Sequence, residues 1–225
     1  MQSGRVDAPR LYVETTCGAA HRLVRQTLDR VLGLGIDLAP LYRLAAREPR
    51  LDALAGRFRG MRPPRFPTIF EALVNGIACQ QLSLEAGLSL LDRFVAAYGR
   101  APPDWPEAGK AFPPACDLAS AALESLRGLG FSRSKGVAIV ETAKAVERRV
   151  IDLEGLGDLG DDLVQAKLVE LRGVGRWTAE YVLLRGYGRL NVFPGDDIGA
   201  RNGLQRWLGL RAPLDYERTK RILRR

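Results

Sequence analysis

The sequence predicts an all-α fold, and three observations predict it. From Cys17 to the C-terminus apolar residues recur at helical spacing. Capping residues and glycines bracket those stretches. No run alternates convincingly in the manner of a strand; Leu11–Val13 is a weak candidate. Hydrophobic residues make up 46% of the chain, which is enough to bury a sizeable core and argues against general disorder.

Taken in order, the first 15 residues read as irregular. Residues 17–32 form a first helix. Asp37 caps a second, DLAPLYRLA, with Pro40 in its first turn, where a missing N–H costs little. A short third helix covers Leu51 to Phe58, and MRPPRFP (61–67) is a stiff connector. Thr68-Ile-Phe-Glu71 is a capping box that opens TIFEALVNGIACQQ. Ser83 caps the next helix, which stops at Gly99. The proline-rich stretch 100–115 reads as a long surface connection. Asp117 opens a helix to Arg127, stopped by Gly128 and Gly130, and Ser132 opens another. Further helices begin near Asp161, Arg176, Ile198 and Leu214. The expected organisation is a reduced N-terminal helical segment, 1–58, packing on a core of 59–225.

Lys and Arg number 34 against 26 Asp and Glu, for a net charge of +8. The lysines are only Lys110, Lys135, Lys144, Lys167 and Lys220, so the basic side is mostly arginine. Arginine pairs with phosphate bidentately, which leans toward a polyanionic partner; a plain solubility surplus is the alternative. Cys17, Cys79 and Cys116 are odd in number and widely spaced. They argue against a disulfide framework and against a four-cysteine zinc or iron–sulfur site, and they fit a reducing cytoplasm. MQSGRVDAPR lacks the apolar run of a secretory signal, and no run is long and apolar enough for a membrane span. His21 is the single histidine and takes no assigned function.

The stretch LRGVGRWTAEY (171–181) carries the first functional signal. Gly173 and Gly175 lie between two helices, where open dihedrals and close backbone approach are possible. Such a turn leading into a helix N-terminus points several N–H groups at one spot, which suits phosphate. A tight inter-helix corner without a ligand is the other reading. Trp177 and Tyr181 share a helix face at i, i+4. They are either core or a flat wall for an aromatic or cationic ligand.

The second signal is Asp196-Asp197, after the loop RGYGRLNVFPG. One aspartate is explained as a helix N-cap, and Asp196 fits that place. Asp197 then falls in the first turn. It is either a surface acid favoured by the helix dipole or a carboxylate facing a pocket where cationic character develops.

The order helix–LRGVGRWTAEY–loop–PGDD resembles the helix–hairpin–helix (HhH-GPD) superfamily of base-excision DNA glycosylases, and within it the AlkA-like 3-methyladenine DNA glycosylases. RGMRPPRFPTIFEALVNGIACQQLSL (59–84) and LRGLGFSRSKGVAIVETAKAV (126–146) extend the likeness, which covers roughly residues 55–210. The resemblance implies two helical subdomains flanking an active-site cleft, with the family's N-terminal mixed α/β domain reduced. It implies that Asp197, at the end of a catalytic loop 190–197, is the essential aspartate, and that Trp177 and Tyr181 are aromatics of the base pocket. It implies that Gly173, Val174, Gly175 and Arg176 meet DNA phosphate, with a monovalent ion possible at Leu171 and Gly173. Gln80, Gln81 and Leu82 match the loop that fills the gap left by the flipped nucleotide. Trp177 stands where bifunctional relatives carry a nucleophilic lysine, so hydrolysis without a Schiff base is expected.

The implied function is excision of alkylated bases from double-stranded DNA by a cytoplasmic, nucleoid-associated monomer needing no cofactor and no iron–sulfur cluster. A non-catalytic binder of damaged DNA and a glycosylase of different base specificity stay open as alternatives. The chain also departs from the family. It stops at KRILRR, where relatives continue into an aromatic-rich helix, and Ile198 stands where some carry an aromatic. A more open pocket is expected.

Overall fold

A computed structural model describes residues 2–5, 8–14, 20–103 and 105–223. The chain divides into two compact units, Met1–Pro67 and Thr68–Arg225, so the MRPPRFP connector goes with the first unit.

The first unit opens on an antiparallel hairpin, β1 (Gln2–Arg5) and β2 (Ala8–Leu11), with Gln2 opposite Leu11 and Arg5 opposite Ala8. This replaces the irregular start expected from sequence. Four-residue strands carry too little pattern to register as alternation. Helix α1 (His21–Leu32) ends on Gly33 in the left-handed region, φ 60°. The expected start at Cys17 lies outside the described residues. Asp37 accepts the Ala39 N–H at 2.9 Å ahead of α2 (Ala39–Ala45). The third helix, α3 (Pro49–Arg57), starts earlier than expected because Glu48 caps it and Pro49 suits its first turn. The connector folds back within this unit: Arg30 Nε donates to Phe66 O at 3.1 Å, and Arg65 N to Val31 O at 2.9 Å.

The second unit is built around α4 (Ile69–Cys79). Ile69, Leu73, Val74, Ile77 and Ala78 on this helix are at most 1% exposed. Helices buried on several faces read as apolar nearly all round, and α4 does. Thr68 caps it by accepting the Glu71 N–H at 3.1 Å. The reciprocal half of the expected capping box is not made among the described residues. Instead Glu154 accepts the Ile69 N–H at 2.8 Å. Helix α5 (Leu84–Tyr98), capped by Ser83, packs on α4. Its Phe94 ring is fully buried, with Tyr98, Phe112 and Phe131 at centroid distances of 5.5–5.6 Å. Phe112 belongs to the 100–115 connection, which is further closed by an antiparallel bridge between Arg100 and Ala111.

The helix expected over 117–127 is two: α6 (Ala115–Leu118) and α7 (Leu123–Gly128). Both pack on α8 (Arg133–Glu147), and the break lets Leu118 and Leu126 both reach full burial. Then come α9 (Asp161–Val169), α10 (Arg176–Val182) with a π-helical turn at Leu183–Tyr187, α11 (Ile198–Leu208) and α12 (Tyr216–Leu223). α10 crosses α4 closely: a Cβ at Gly76 would lie 3.0 Å from Thr178 and 3.3 Å from Tyr181. The fold class is all-α, as expected, with the short hairpin as its departure. No helix among the described residues is long and apolar enough to cross a membrane.

Candidate active site

The hairpin 171–175 joins α9 to α10, and its two glycines have different reasons to be there. Gly173 sits at φ +76°, and a Cβ on it would lie 2.7 Å from that of Ala138 on α8. Conformation and packing both exclude a side chain. Gly175 is ordinary extended backbone, φ −94° and ψ 178°, with nothing within 4 Å of a built Cβ. Neither conformation nor packing among the described residues requires glycine at 175. Val174 turns inward and is 6% exposed.

Beyond the hairpin, α10 presents Trp177 and Tyr181 side by side, ring centroids 5.5 Å apart and planes 19° from parallel. Both are half-buried, so the pair is neither core nor free surface. Tyr181 Oη donates to Asn75 Oδ1 at 2.8 Å, and burial pushes its phenol up to about 12, so it stays neutral. Trp177 Nε1 donates to Asp197 Oδ2 at 3.1 Å. The other carboxylate oxygen of Asp197 accepts the Ala200 N–H at 2.8 Å.

The two adjacent aspartates each stand one place earlier relative to the helix than expected. Asp197, not Asp196, is the N-cap of α11. Asp196 receives the Arg176 guanidinium bidentately, at 2.7 Å from Nε and 3.0 Å from Nη2. The hydrogen bonds that Arg176 donates to Asp196 push its pKa further up. Arg176 also lies 3.5 Å over the Tyr216 ring. Expected on phosphate, it is exposed and has two partners within the protein.

Of the expected gap-filling loop, Gln80 is pinned. Its Nε2 donates to Gly173 O and to Thr178 Oγ1, both at 2.8 Å. Gln81 and Leu82 are exposed, and Gln81 sits at φ 56°, rare for a residue with a side chain. Lys135 on α8 steadies this corner by donating to Ala78 O at 2.8 Å and Gln80 O at 2.7 Å; burial pushes its pKa down. The carbonyls expected to hold a monovalent ion fare differently. Leu171 O accepts Val174 N at 3.1 Å, while Gly173 O accepts the Gln80 side-chain N–H at 2.8 Å and keeps a second lone pair. No three His, Cys, Asp or Glu side chains among the described residues gather as a metal set.

The sequence reading missed Asn75, Lys135 and Glu180. Glu180 carried a signal, being a carboxylate inside the otherwise apolar run TAEYV. A concavity of about 820 Å³ between α9 and α12, lined by Asp162, Val169, Lys220 and Arg221 among others, is not this site. It has charged walls and holds neither Trp177 nor Asp197.

The segment that carries this carboxylate, the stacked aromatic pair and the glycine hairpin, residues 74–225, matches the family model for HhH-GPD superfamily base excision DNA repair proteins. The chain belongs to the HhH-GPD superfamily. Among relatives in this superfamily, the DNA-3-methyladenine glycosylase of Bacillus subtilis is 33% identical over 166 residues, covering 72% of this chain and 54% of that protein. DNA-3-methyladenine glycosylase 2 of Escherichia coli is 28% identical over 188 residues, covering 78% of this chain and 66% of that one. The chain thus spans about half to two thirds of the length of these HhH-GPD relatives. Among solved structures, the 3-methyladenine DNA glycosylase of Archaeoglobus fulgidus superposes with a TM-score of 0.82 at 30% identity, over 96% of this chain and 71% of that one.

Proposed function

We propose that the chain is a monofunctional DNA glycosylase that receives an everted alkylated base, of the 3-methyladenine type, and hydrolyses its glycosidic bond. The observation that carries this reading is the 3.1 Å bond from Trp177 Nε1 to Asp197 Oδ2 at the edge of the stacked Trp177–Tyr181 pair. A base alkylated on a ring nitrogen is cationic and leaves readily, so the protein need supply little acid. Electron-rich ring faces favour such a base over a neutral one. As the bond breaks the sugar becomes oxocarbenium-like. A carboxylate held in place beside it stabilises that charge and can orient or deprotonate the attacking water.

The position that a Schiff-base mechanism would fill with lysine is Trp177. Two nearby amines are engaged: Lys135 on the α4 carbonyls and Lys220 on Glu180. These placements support hydrolysis without strand cleavage. The bare backbone at Gly175 supports a phosphate contact at the hairpin, which positions the duplex without reading sequence. The exposure of Gln81 and Leu82 just beyond the end of α4 supports reading them as the side chains that enter the gap left by the everted nucleotide.

The test is release of free bases from duplex DNA treated with a methylating agent. The parent protein is expected to release them without nicking the strand. Asp197→Asn is expected to lower the rate by at least about 10²-fold while binding an abasic-analogue duplex as the parent does. Binding without release by the parent would instead make the chain a damaged-DNA binder.

A further inference from the structure

Helix α10 carries two i, i+4 pairs on adjoining faces. Trp177 and Tyr181 make the stacked wall. Arg176 and Glu180, each one residue earlier, face the loop that ends at Asp197 and the helix α12. Glu180 is fully buried, at 0% exposure. Its Oε2 accepts the Gly195 N–H at 3.0 Å. Its Oε1 accepts the Tyr216 hydroxyl at 2.8 Å and lies 3.1 Å from the Lys220 ammonium. Burial pushes Lys220 down, but Glu180 and Tyr216 together more than offset this, so the ammonium stays charged.

These contacts close a ring. Glu180 holds Gly195 and Tyr216, Tyr216 lies under Arg176, and Arg176 holds Asp196. Gly195 belongs to the same device: a Cβ there would lie 2.6 Å from the Tyr216 ring. The ring thus grips residues 195 and 196 from one side, leaving 197 to turn toward Trp177.

A buried carboxylate is a poor way to gain stability, since apolar residues of similar volume serve a core as well or better. All three donors to Glu180 come from the loop and from α12, and none from its own helix. That is the pattern of a group that fixes one segment relative to another. We propose that Glu180, acting through the Gly195 N–H and buttressed by Tyr216 and Lys220, is a positioning residue that sets where the Asp197 carboxylate stands against Trp177. This rests on the reading of Asp197 as the catalytic carboxylate and extends it to α12, which touches neither base nor sugar in that reading. Displacement of a reacting group by about 1 Å is enough to slow a reaction about 10²-fold.

The test uses Glu180→Gln, which keeps the shape and loses the charge. It is paired with Tyr216→Phe, which removes one hydroxyl from a half-buried ring and should fold. Two readouts separate positioning from plain folding. One is the single-turnover rate of base release with the affinity for an abasic-analogue duplex measured beside it. The other is the NMR resonance of the Trp177 indole N–H, assigned with Trp177→Phe, which reports the bond to Asp197 without any catalysis. Both variants are expected to move that resonance toward its position in Asp197→Asn. They are also expected to slow release about 10- to 100-fold at unchanged affinity. An unmoved indole resonance with a parental rate overturns the proposal, and so does a loss of rate matched by an equal loss of affinity and of Tm. If the parent released no base, the glycosylase reading would fall, and the indole resonance alone would then decide whether Glu180 positions Asp197.

Discussion

Asp196 and Asp197 show how far apart neighbouring residues of one type can be in role. One is bound bidentately by Arg176, and the other divides its oxygens between an indole and a helix N-terminus. Asp197 was legible in the sequence as the residue to watch through the resemblance that LRGVGRWTAEY and PGDD carry; the residues alone left it a surface acid or a pocket carboxylate. Its capping of α11 was not, because capping residues are recognised only to within a position or two and both neighbours were aspartates. Glu71 is a second carboxyl whose place was not legible. Half-buried on the first turn of α4, it has its pKa pushed by burial from the ordinary 4.5 up to about 7. The folded protein therefore holds this proton more tightly than the unfolded chain does. The stability it confers is complete below about pH 4.5 and is lost as the pH rises to 7. Glu71→Gln should leave stability unchanged at pH 4 and raise it by about 1–2 kcal/mol at pH 8, the shift being discounted for partial exposure. Urea denaturation at the two pH values checks this, and a variant equally stable or unstable at both would remove burial as the cause.

At the level of elements, the hairpin glycines separate two kinds of necessity. Gly173→Ala should cost about 1–3 kcal/mol in denaturant unfolding, because left-handed backbone and the Ala138 contact both oppose it. Gly175→Ala should be neutral or slightly stabilising, since its backbone suits alanine and open space surrounds it. Gly175→Asp should fold yet weaken duplex binding, and parental affinity in that variant would remove the hairpin from the interface. Helix starts were legible wherever a hydroxyl caps them: Thr68, Ser83 and Ser132 each accept the N–H three residues on. The break between α6 and α7 was not legible, because DLASAALESLR keeps helical spacing and only packing on α8 asks for two directions. Glu180 hid for a related reason. Its three donors lie fifteen to forty residues downstream, and no local pattern announces them.

For the whole molecule, the arrangement of the second unit gives the 100–115 connection an unexpected standing. Read from sequence, it is a long proline-rich loop. In the structure its return limb is anchored, with Phe112 against Phe94, Ala111 bridged to Arg100 and Lys110 Nζ on Ala96 O at 2.6 Å. The tip around Pro106–Ala108 is exposed. A protease that cuts after Glu107 should therefore sever the backbone without unfolding the protein. The pieces 1–107 and 108–225 are expected to travel together in gel filtration, because α4 lies on one side of the cut and its partners α8 and α10 on the other, and Phe94 of α5 is likewise separated from Phe112 and Phe131. Separate elution of the fragments would contradict this. The tip is then the place where the polypeptide could be supplied as two genes: complementary halves, each unable to close the Phe94 cluster alone, would recover a single folded protein only on meeting.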